Sequence, residues 1–411
     1  MKMILLAHLP PPLHGQSYMV KQLLDSLTGD PQPQPTASGT GADELTCYHV
    51  DARYSASLAD IGQLQLLKLF RLFRYVAQAW RIRFQHGADV LLYVPAPAKR
   101  SAIVRDWLVM AFCRPVFRRR VCWFQATGLG GWLETRASPL ERWLTRALLG
   151  RPDLSIVLGE WGRQDAVALG SRRIIVVPNT CPDPWPTDGE LSLKERAHRA
   201  SVRASSREPA AIIVADQPSE PLRFRLLFLS LCTHEKGLFD TLAGVLLVNQ
   251  RLAESQSRVR VELDIAGTFP NPAERAEFDL QTQAPEWHDD SGQSLLRYHG
   301  FVEGRTKADL MQHCDCLCFP TYYAAEGFPL VLVEAMAWGL HIVTSRWRII
   351  PELFPPDYDG LVDPQQPHQI ADAIEKRLFR SPESALRQRY EDNYTPARCF
   401  GTIRRALLEI D

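Results

Sequence analysis

Two carboxylates, Glu326 and Glu334, bracket most of the stretch EGFPLVLVEAMAWG, which runs from Glu326 to Gly339. Between them stand Gly327, Phe328, Pro329 and an apolar run that begins at Leu330. Proline suits the first position of a helix, where its missing N–H is not needed. Leu330 to Trp338 contains neither Gly nor Pro and is good helix material. The spacing therefore predicts a helix that opens at Pro329. Glu326 would lie in the loop feeding it, and Glu334 about a turn and a half inside, at ~3.6 residues per turn. The first-turn amides of such a helix are orphan donors at the positive end of its dipole, and such an end holds a phosphate. One short element would thus present two carboxylates and an anion site.

The surrounding pattern supplies elements to position this stretch. Met3 to Ala7 is a short apolar run of the kind found in strands buried on both faces, and a helical pattern follows the loop that contains His14 and Gly15. Gly15 marks either a phosphate-binding turn or a bend shaped by the prolines before it. VLLYV at 90–94, VCWF at 121–124, LSIVL at 154–158 and IIVV at 174–177 continue the strands, with helical material between them. Gly128, Gly130 and Gly131 form either a backbone-lined pocket wall or a flexible turn. Residues 28–45 read as loop. Residues 181–221, rich in Pro, Ser, Arg and Glu, have no convincing apolar periodicity and read as an interdomain connection with an insertion.

A second strand–helix series starts near Leu222. It places Lys236 in a loop after the strand RLLFLS, Gly267 at the end of VRVELDI and Phe301 at the end of YHGF. The strand CLCFP then leads into the two-carboxylate stretch, and Thr395 to Ile410 forms a last amphipathic helix. Alternating strands and helices argue for doubly wound parallel sheets, whose ligands bind outside the carboxyl ends of the strands. The expected organisation is a first Rossmann-like domain over 1–180, a linker over 181–221 and a second domain over 222–384. Residues 385–411 are placed to pack back on the first domain.

Composition narrows the function classes. The chain has 411 residues, 45% hydrophobic and 23% charged, with a formal net charge of zero, so no whole-chain field points to nucleic acid. Nine cysteines show neither CxxC pairs nor zinc spacing, which suggests reduced thiols in a cytoplasmic compartment. Cys314, Cys316 and Cys318 alternate, and read as small buried hydrophobes rather than a metal site. No apolar run approaches the ~18 residues of a membrane span. The apolar start of the chain is too short for a secretory signal and reads as a first strand. LQLLKLFRLFRYVAQAWRIRF, at 64–84, is a basic amphipathic helix: either a packed helix with solvated arginines, or one lying on an anionic membrane surface. Arg114 and Arg118 to Arg120 add a second basic cluster.

The second half resembles the retaining GT-B glycosyltransferases of family 4, also called glycosyl transferases group 1. The residues that carry the resemblance are Lys236–Gly237, Gly267, His299–Gly300–Phe301, Phe319–Pro320–Thr321, the Glu-x7-Glu run, Glu352, Gly360 and Pro364. It covers about 222–380 well and the first 180 residues more weakly, through PPPLHGQS and VVPN. The resemblance implies two Rossmann-like domains facing a central cleft and a retaining, metal-independent hexosyltransferase. The donor would be a UDP- or GDP-sugar, used as substrate and not as cofactor. Lys236 would neutralise the diphosphate, Glu334 would meet the ribose, and Glu326 the donor sugar. Gly15, Gly267, Phe301, Gly327, Phe328, Pro329 and Leu330 would line the site. The implied acceptor is a saccharide or a lipid-linked one, in surface polysaccharide or glycoconjugate synthesis, in the cytoplasm or at the inner face of its membrane.

Two positions depart from the family pattern. Leu231 stands where relatives carry an Arg five residues before the Lys, and Gln125 follows VCWF where many carry a His. The alternatives are a sugar-nucleotide-binding protein without catalysis and, less favoured, a glycoside hydrolase with Glu326 and Glu334 as acid and nucleophile. A hydrolase pair needs no diphosphate site.

Overall fold

The computed structural model describes residues 1–11, 15–29, 45–53, 66–184, 190–206, 221–289, 291–382 and 384–410. The readings placed on His14, on the loop at 30–44, on the start of the basic helix at 64–65 and on the part of the connection at 207–220 lie outside these residues. The chain divides into two compact units. Unit 1 holds Met1–Thr180, Ala325–Phe328 and Pro396–Asp411. Unit 2 holds Cys181–Ala324 and Pro329–Thr395.

Unit 1 is wound on six parallel strands. In chain order its elements are β1 (Lys2–Ala7), α1 (Gly15–Thr28), β2 (Thr46–Asp51), α2 (Leu66–His86), β3 (Val90–Tyr93), α3 (Arg100–Cys113), β4 (Arg119–Trp123), α4 (Leu129–Thr135), α5 (Pro139–Leu148), β5 (Leu154–Val157), α6 (Arg163–Ala168) and β6 (Arg173–Val176). The sheet order is β2-β1-β3-β4-β5-β6. Its inner strands β1, β3 and β5 are almost wholly buried, which is why they read as continuous apolar runs. The polar edge strand β2 gives no such run, and nothing in its sequence announces it.

Unit 2 repeats the plan. It begins with α7 (Glu190–Ser205), then β7 (Leu222–Leu229), α8 (Leu238–Glu254), β8 (Val259–Ala266), α9 (Pro272–Gln281), β9 (Leu296–Gly300), α10 (Gly304–His313), β10 (Cys316–Phe319), α11 (Leu330–Ala337), β11 (His341–Ser345), β12 (Leu361–Val362), α12 (Pro367–Glu375) and α13 (Ser384–Asn393). The order β12-β11-β10-β7-β8-β9 is again all parallel. Cys316 and Cys318 point into one apolar cluster with Phe224, Leu226 and Val343, as small buried hydrophobes do. Burial pushes the Cys318 thiol up to about 12. A last helix, α14 (Pro396–Leu408), groups with unit 1, where it meets α1.

Helix α7 corrects the reading of 181–221 as mere connection. Its buried face carries Arg196 and Arg203 with the small Ser192 and Ala200 in place of large apolar residues, so a search for apolar periodicity passes over it. Arg196, Arg199 and Arg203 recur at helical spacing, and Arg196 is fully buried. Arg196 donates to the carbonyls of Met311 (3.1 Å), Cys314 (2.8 Å) and Trp338 (2.7 Å). These carbonyls belong to the ends of α10 and α11, where helices leave their last C=O groups unpaired. Arg199 pairs with Asp315 at 2.8 Å, and Arg203 donates to Leu378 O at 2.7 Å. Burial lowers the Arg196 guanidinium to about 10 against the opposing pull of Asp315, which leaves it charged at neutral pH.

Candidate active site

The residues singled out in unit 2 gather at the carboxyl ends of its strands. Lys236 follows β7, Gly267 follows β8, Phe301 follows β9, and Tyr323 lies just beyond β10. The chain runs outward from β7 through β8 to β9 and returns to begin β10 on the other side of β7. The β7/β10 boundary is therefore the topological switch point, where doubly wound sheets bind ligands.

The β7–α8 loop is clamped there by backbone geometry. Gly237 caps α8 at φ 81°, a left-handed conformation that suits glycine. A Cβ on it would lie 2.5 Å from Pro320 O, so a side chain is excluded on steric grounds as well. Tyr322 N donates to Glu235 O at 2.8 Å, and Thr321 Oγ1 donates to the same carbonyl at 3.2 Å. The loop is thus fastened to the segment after β10, and Lys236 Nζ stands 4.6 Å from the centre of the Tyr323 ring and 5.6 Å from that of Phe319. Both lie within the ~6 Å range of cation–π attraction. Tyr323 was not among the residues expected from the sequence, although paired tyrosines directly after a buried strand were the available signal. Gly267 is fixed by close approach: a Cβ there would fall 1.7 Å from Ser230 O. Its carbonyl accepts from the Tyr298 hydroxyl at 2.9 Å. Phe301 is largely exposed beyond β9.

Leu231, at the position where a second cation was expected, is 46% exposed. His234 is already engaged: its Nε2 lies 2.9 Å from Glu277 and its ring stacks on Phe239 at 4.0 Å. His299 is likewise paired, 2.7 Å from Asp264. At the start of α8, burial raises the Asp240 carboxyl above its ordinary range, partly offset by His234.

Helix α11 starts one residue later than expected. Pro329 has a helical φ of −74° but ψ of 104°, and its carbonyl accepts from Leu332 N at 3.1 Å. Proline therefore serves as the N-cap, and Leu330 is the first helical residue. No side chain caps this end, so its first amides face no internal acceptor of that kind. The helix closes at Gly339, φ 68°, whose amide donates to Met336 O while Leu340 N donates to Ala335 O. Glu334 Oε1 accepts from Lys307 Nζ at 2.6 Å, with both side chains partly accessible. Lys307 on α10 was not expected, and no spacing in the sequence links two residues on separate helices. Beside this pair, burial and then Glu334 drive the Cys181 thiol well up, with Lys307 acting in the opposite sense.

In unit 1 the residues Glu326 to Phe328 pack onto the turn after β4. Glu326 and Phe328 are each 8% exposed. Thr127 Oγ1 donates to the Glu326 carbonyl at 3.3 Å. A Cβ on Gly327 would meet Gln125 O at 2.9 Å, so glycine permits this approach. Gln125 itself keeps a buried Nε2 without a hydrogen-bond partner. Gly15 is exposed at the first position of α1. The glycines at 128–131 resolve into neither a pocket wall nor a flexible turn. The amides of Gly128 and Gly130 donate to the two carboxylate oxygens of buried Asp165, at 2.9 and 2.6 Å, so an internal anion occupies them.

Helix α2 is packed on one face and exposes aromatic residues on another. Leu72, Tyr75, Val76 and Ala79 are buried against the sheet. Phe70, Phe73, Trp80 and Phe84 form a second, exposed aromatic stripe, Phe70 and Phe84 being 70% and 72% accessible. Arg74 and Arg81 flank it. No helix of the described residues is long and apolar enough to cross a membrane. Among the described residues, no group of three or more His, Cys, Asp and Glu side chains is arranged to hold a metal ion.

Comparison with known proteins bears on the fold and on the family of the second half. The curated MMP alpha-(1->4)-mannosyltransferase of Mycolicibacterium hassiacum is 39% identical over 82 residues, a match that spans 20% of this chain and 19% of that protein. Among solved structures, HepE of Anabaena in complex with UDP aligns with a TM-score of 0.64 at 14% identity, over 99% of both chains. Sucrose-phosphate synthase of Thermosynechococcus elongatus aligns at 0.62 and 16% identity over 100% of both. A glycosyltransferase of Rickettsia africae aligns at 0.65 and 10% identity, over 100% of this chain and 98% of that one. The fold is thereby GT-B, as the sequence suggested. Residues 223–379, which contain Lys236, Glu326 and Glu334, match the family described as glycosyl transferases group 1.

Proposed function

We propose that the protein is a retaining, metal-independent glycosyltransferase that moves a sugar from a nucleotide-sugar to a saccharide or lipid-linked acceptor. The observation that carries this reading is the family match over 223–379, a stretch that contains Lys236, Glu326 and Glu334. UDP-sugars are the first donors to test, since HepE is described with UDP and with UDP-glucose.

The chemistry follows from the residues. A departing nucleoside diphosphate gathers negative charge, which preorganised donors stabilise in the transition state. Lys236 supplies a point cation that leaves its aromatic neighbours for the diphosphate. The uncapped start of α11, beginning at Leu330 just after Pro329, supplies amides and the positive end of a dipole. Glu334 accepts from the ribose hydroxyls, and Lys307 holds its carboxylate oriented until they arrive. Glu326 orients the donor sugar's hydroxyls and stabilises positive charge on the anomeric carbon. Gly327, Phe328, Gly267, Phe301 and Gly15 complete the lining. The exposed stripe of α2 lies on an anionic bilayer, which suits a lipid-linked acceptor.

The test is incubation with UDP- and GDP-sugars, with and without saccharide and lipid-linked acceptors, following nucleotide release and product configuration. Acceptor-dependent release with retained configuration is expected. Tight nucleotide binding without release from any donor would instead favour a binding protein, the reading that Leu231 and Gln125 motivate. Cleavage of a simple glycoside with no donor present would replace the proposal with a hydrolase.

A further inference from the structure

Unit 1 contains a surface pocket of about 870 Å3 that the proposed transfer does not use. Four arginines line it: Arg114 after α3, Arg142 and Arg146 on α5, and Arg151 in the turn beyond. Trp143 and Val167, each 64% exposed, stand at its wall. Arg142 and Arg146 are four residues apart on one helix, a spacing at which like charges repel. No carboxylate pairs with any of the four among the described residues. The acids nearby are committed elsewhere: Glu141 caps α5 through Ser138 and pairs with Arg100 at 3.1 Å, and Asp153 pairs with Arg172 at 2.9 Å. Nη1 of Arg114 is buried without a hydrogen-bond partner. Arg151 is held in place by its own backbone, its amide donating to Leu169 O at 2.7 Å.

Four guanidinium groups around one cavity, with no internal counter-charge and one buried donor unmet, are costly unless an anion completes them. The planar guanidinium fork matches phosphate oxygens. We propose that this pocket binds the phosphate group of an anionic amphiphile, with Trp143 and Val167 covering the apolar part attached to it. The neighbourhood favours an amphiphile over a bare ion. Helix α3 joins the pocket to the aromatic stripe of α2: Phe73 meets Phe112 edge-on at 5.4 Å, and Trp80 Nε1 donates to Phe112 O at 3.2 Å. Arg114 follows two residues later. On the other side Trp107 of α3 donates to Thr145 of α5 at 2.9 Å. Aromatic stripe and arginine pocket are therefore carried by consecutively packed helices.

The phosphate could belong to a membrane lipid or to a soluble ester, and two assays on the full chain separate them. The first is sedimentation with phosphatidylcholine vesicles, with and without phosphatidylglycerol. The second is thermal shift with inorganic phosphate and with glycerol 3-phosphate. Each is run on the wild type, on Arg142→Gln/Arg146→Gln, and on Arg151→Gln as a milder variant, with circular dichroism to confirm folding. Vesicle association that needs phosphatidylglycerol and falls about tenfold or more in the double variant supports the site and identifies a lipid. Stabilisation by glycerol 3-phosphate that the variants lose, without vesicle association, overturns the amphiphile and leaves a site for a soluble phosphate ester. Equal binding by wild type and both variants, or no binding in either assay, overturns it. No sugar donor is present, so the outcome is independent of the glycosyl-transfer reading.

Discussion

Both units are wound on six parallel strands, yet they hold their cations in opposite ways. Unit 2 pins them. Arg196 is spent on helix-end carbonyls, Lys307 on Glu334, and Lys236 stands against the Tyr323 ring. Among the described residues, unit 1 leaves several without a carboxylate: Arg81 donates only to Gln85, at 3.2 Å, and the four arginines that line one pocket have no acid paired with them, Arg142 donating to Ala137 O at 3.0 Å. A cation pinned by several internal acceptors positions structure, and one without a counter-charge is available to an external anion. Lys236 lies within cation–π range of Tyr323 and Phe319, contacts weak enough to give way to a phosphate.

Four substitutions would break or sharpen this contrast. Arg196→Met should cost the most, about 3 kcal/mol or more of stability in denaturant unfolding, because it strips three buried carbonyls of their donor at once. A change under ~1 kcal/mol would show that water replaces the guanidinium. Lys236→Ala comes next. It should weaken UDP binding by ~1.5 to ~3 kcal/mol in calorimetry, the range for a hydrogen bond to a charged group. Unchanged affinity would mean that the cation at this loop is not used. Phe70→Ser combined with Phe84→Ser should move stability by no more than ~0.5 kcal/mol, as exposed substitutions do. The same variant should associate less with anionic vesicles, and a large loss of stability would instead make the stripe part of the core.

How far the sequence foretold this depends on what each element buries. The inner strands and α11 were legible because their apolar runs match their period. Gly237 and Gly267 were legible as loop markers, and the structure adds why: Pro320 O and Ser230 O leave no room for a side chain. Helix α7 was missed because its buried face carries arginines and small residues in place of large apolar ones. The glycines at 128–131 were ambiguous because their acceptor, Asp165, lies 35 residues away from Gly130. Lys307 was unreadable for the same reason, its partner being on another helix. The one-residue shift at Pro329 came from ψ, which no sequence rule fixes.

The most direct test of the account concerns Glu326, a buried carboxylate in the glycine-bearing loop that precedes α11. Glu326→Gln should reduce acceptor-dependent sugar transfer by at least about 100-fold. Nucleotide affinity and unfolding midpoint should stay at wild-type values. Transfer at the wild-type rate in that variant would contradict the role given to the first carboxylate, and with it the proposed function of the site.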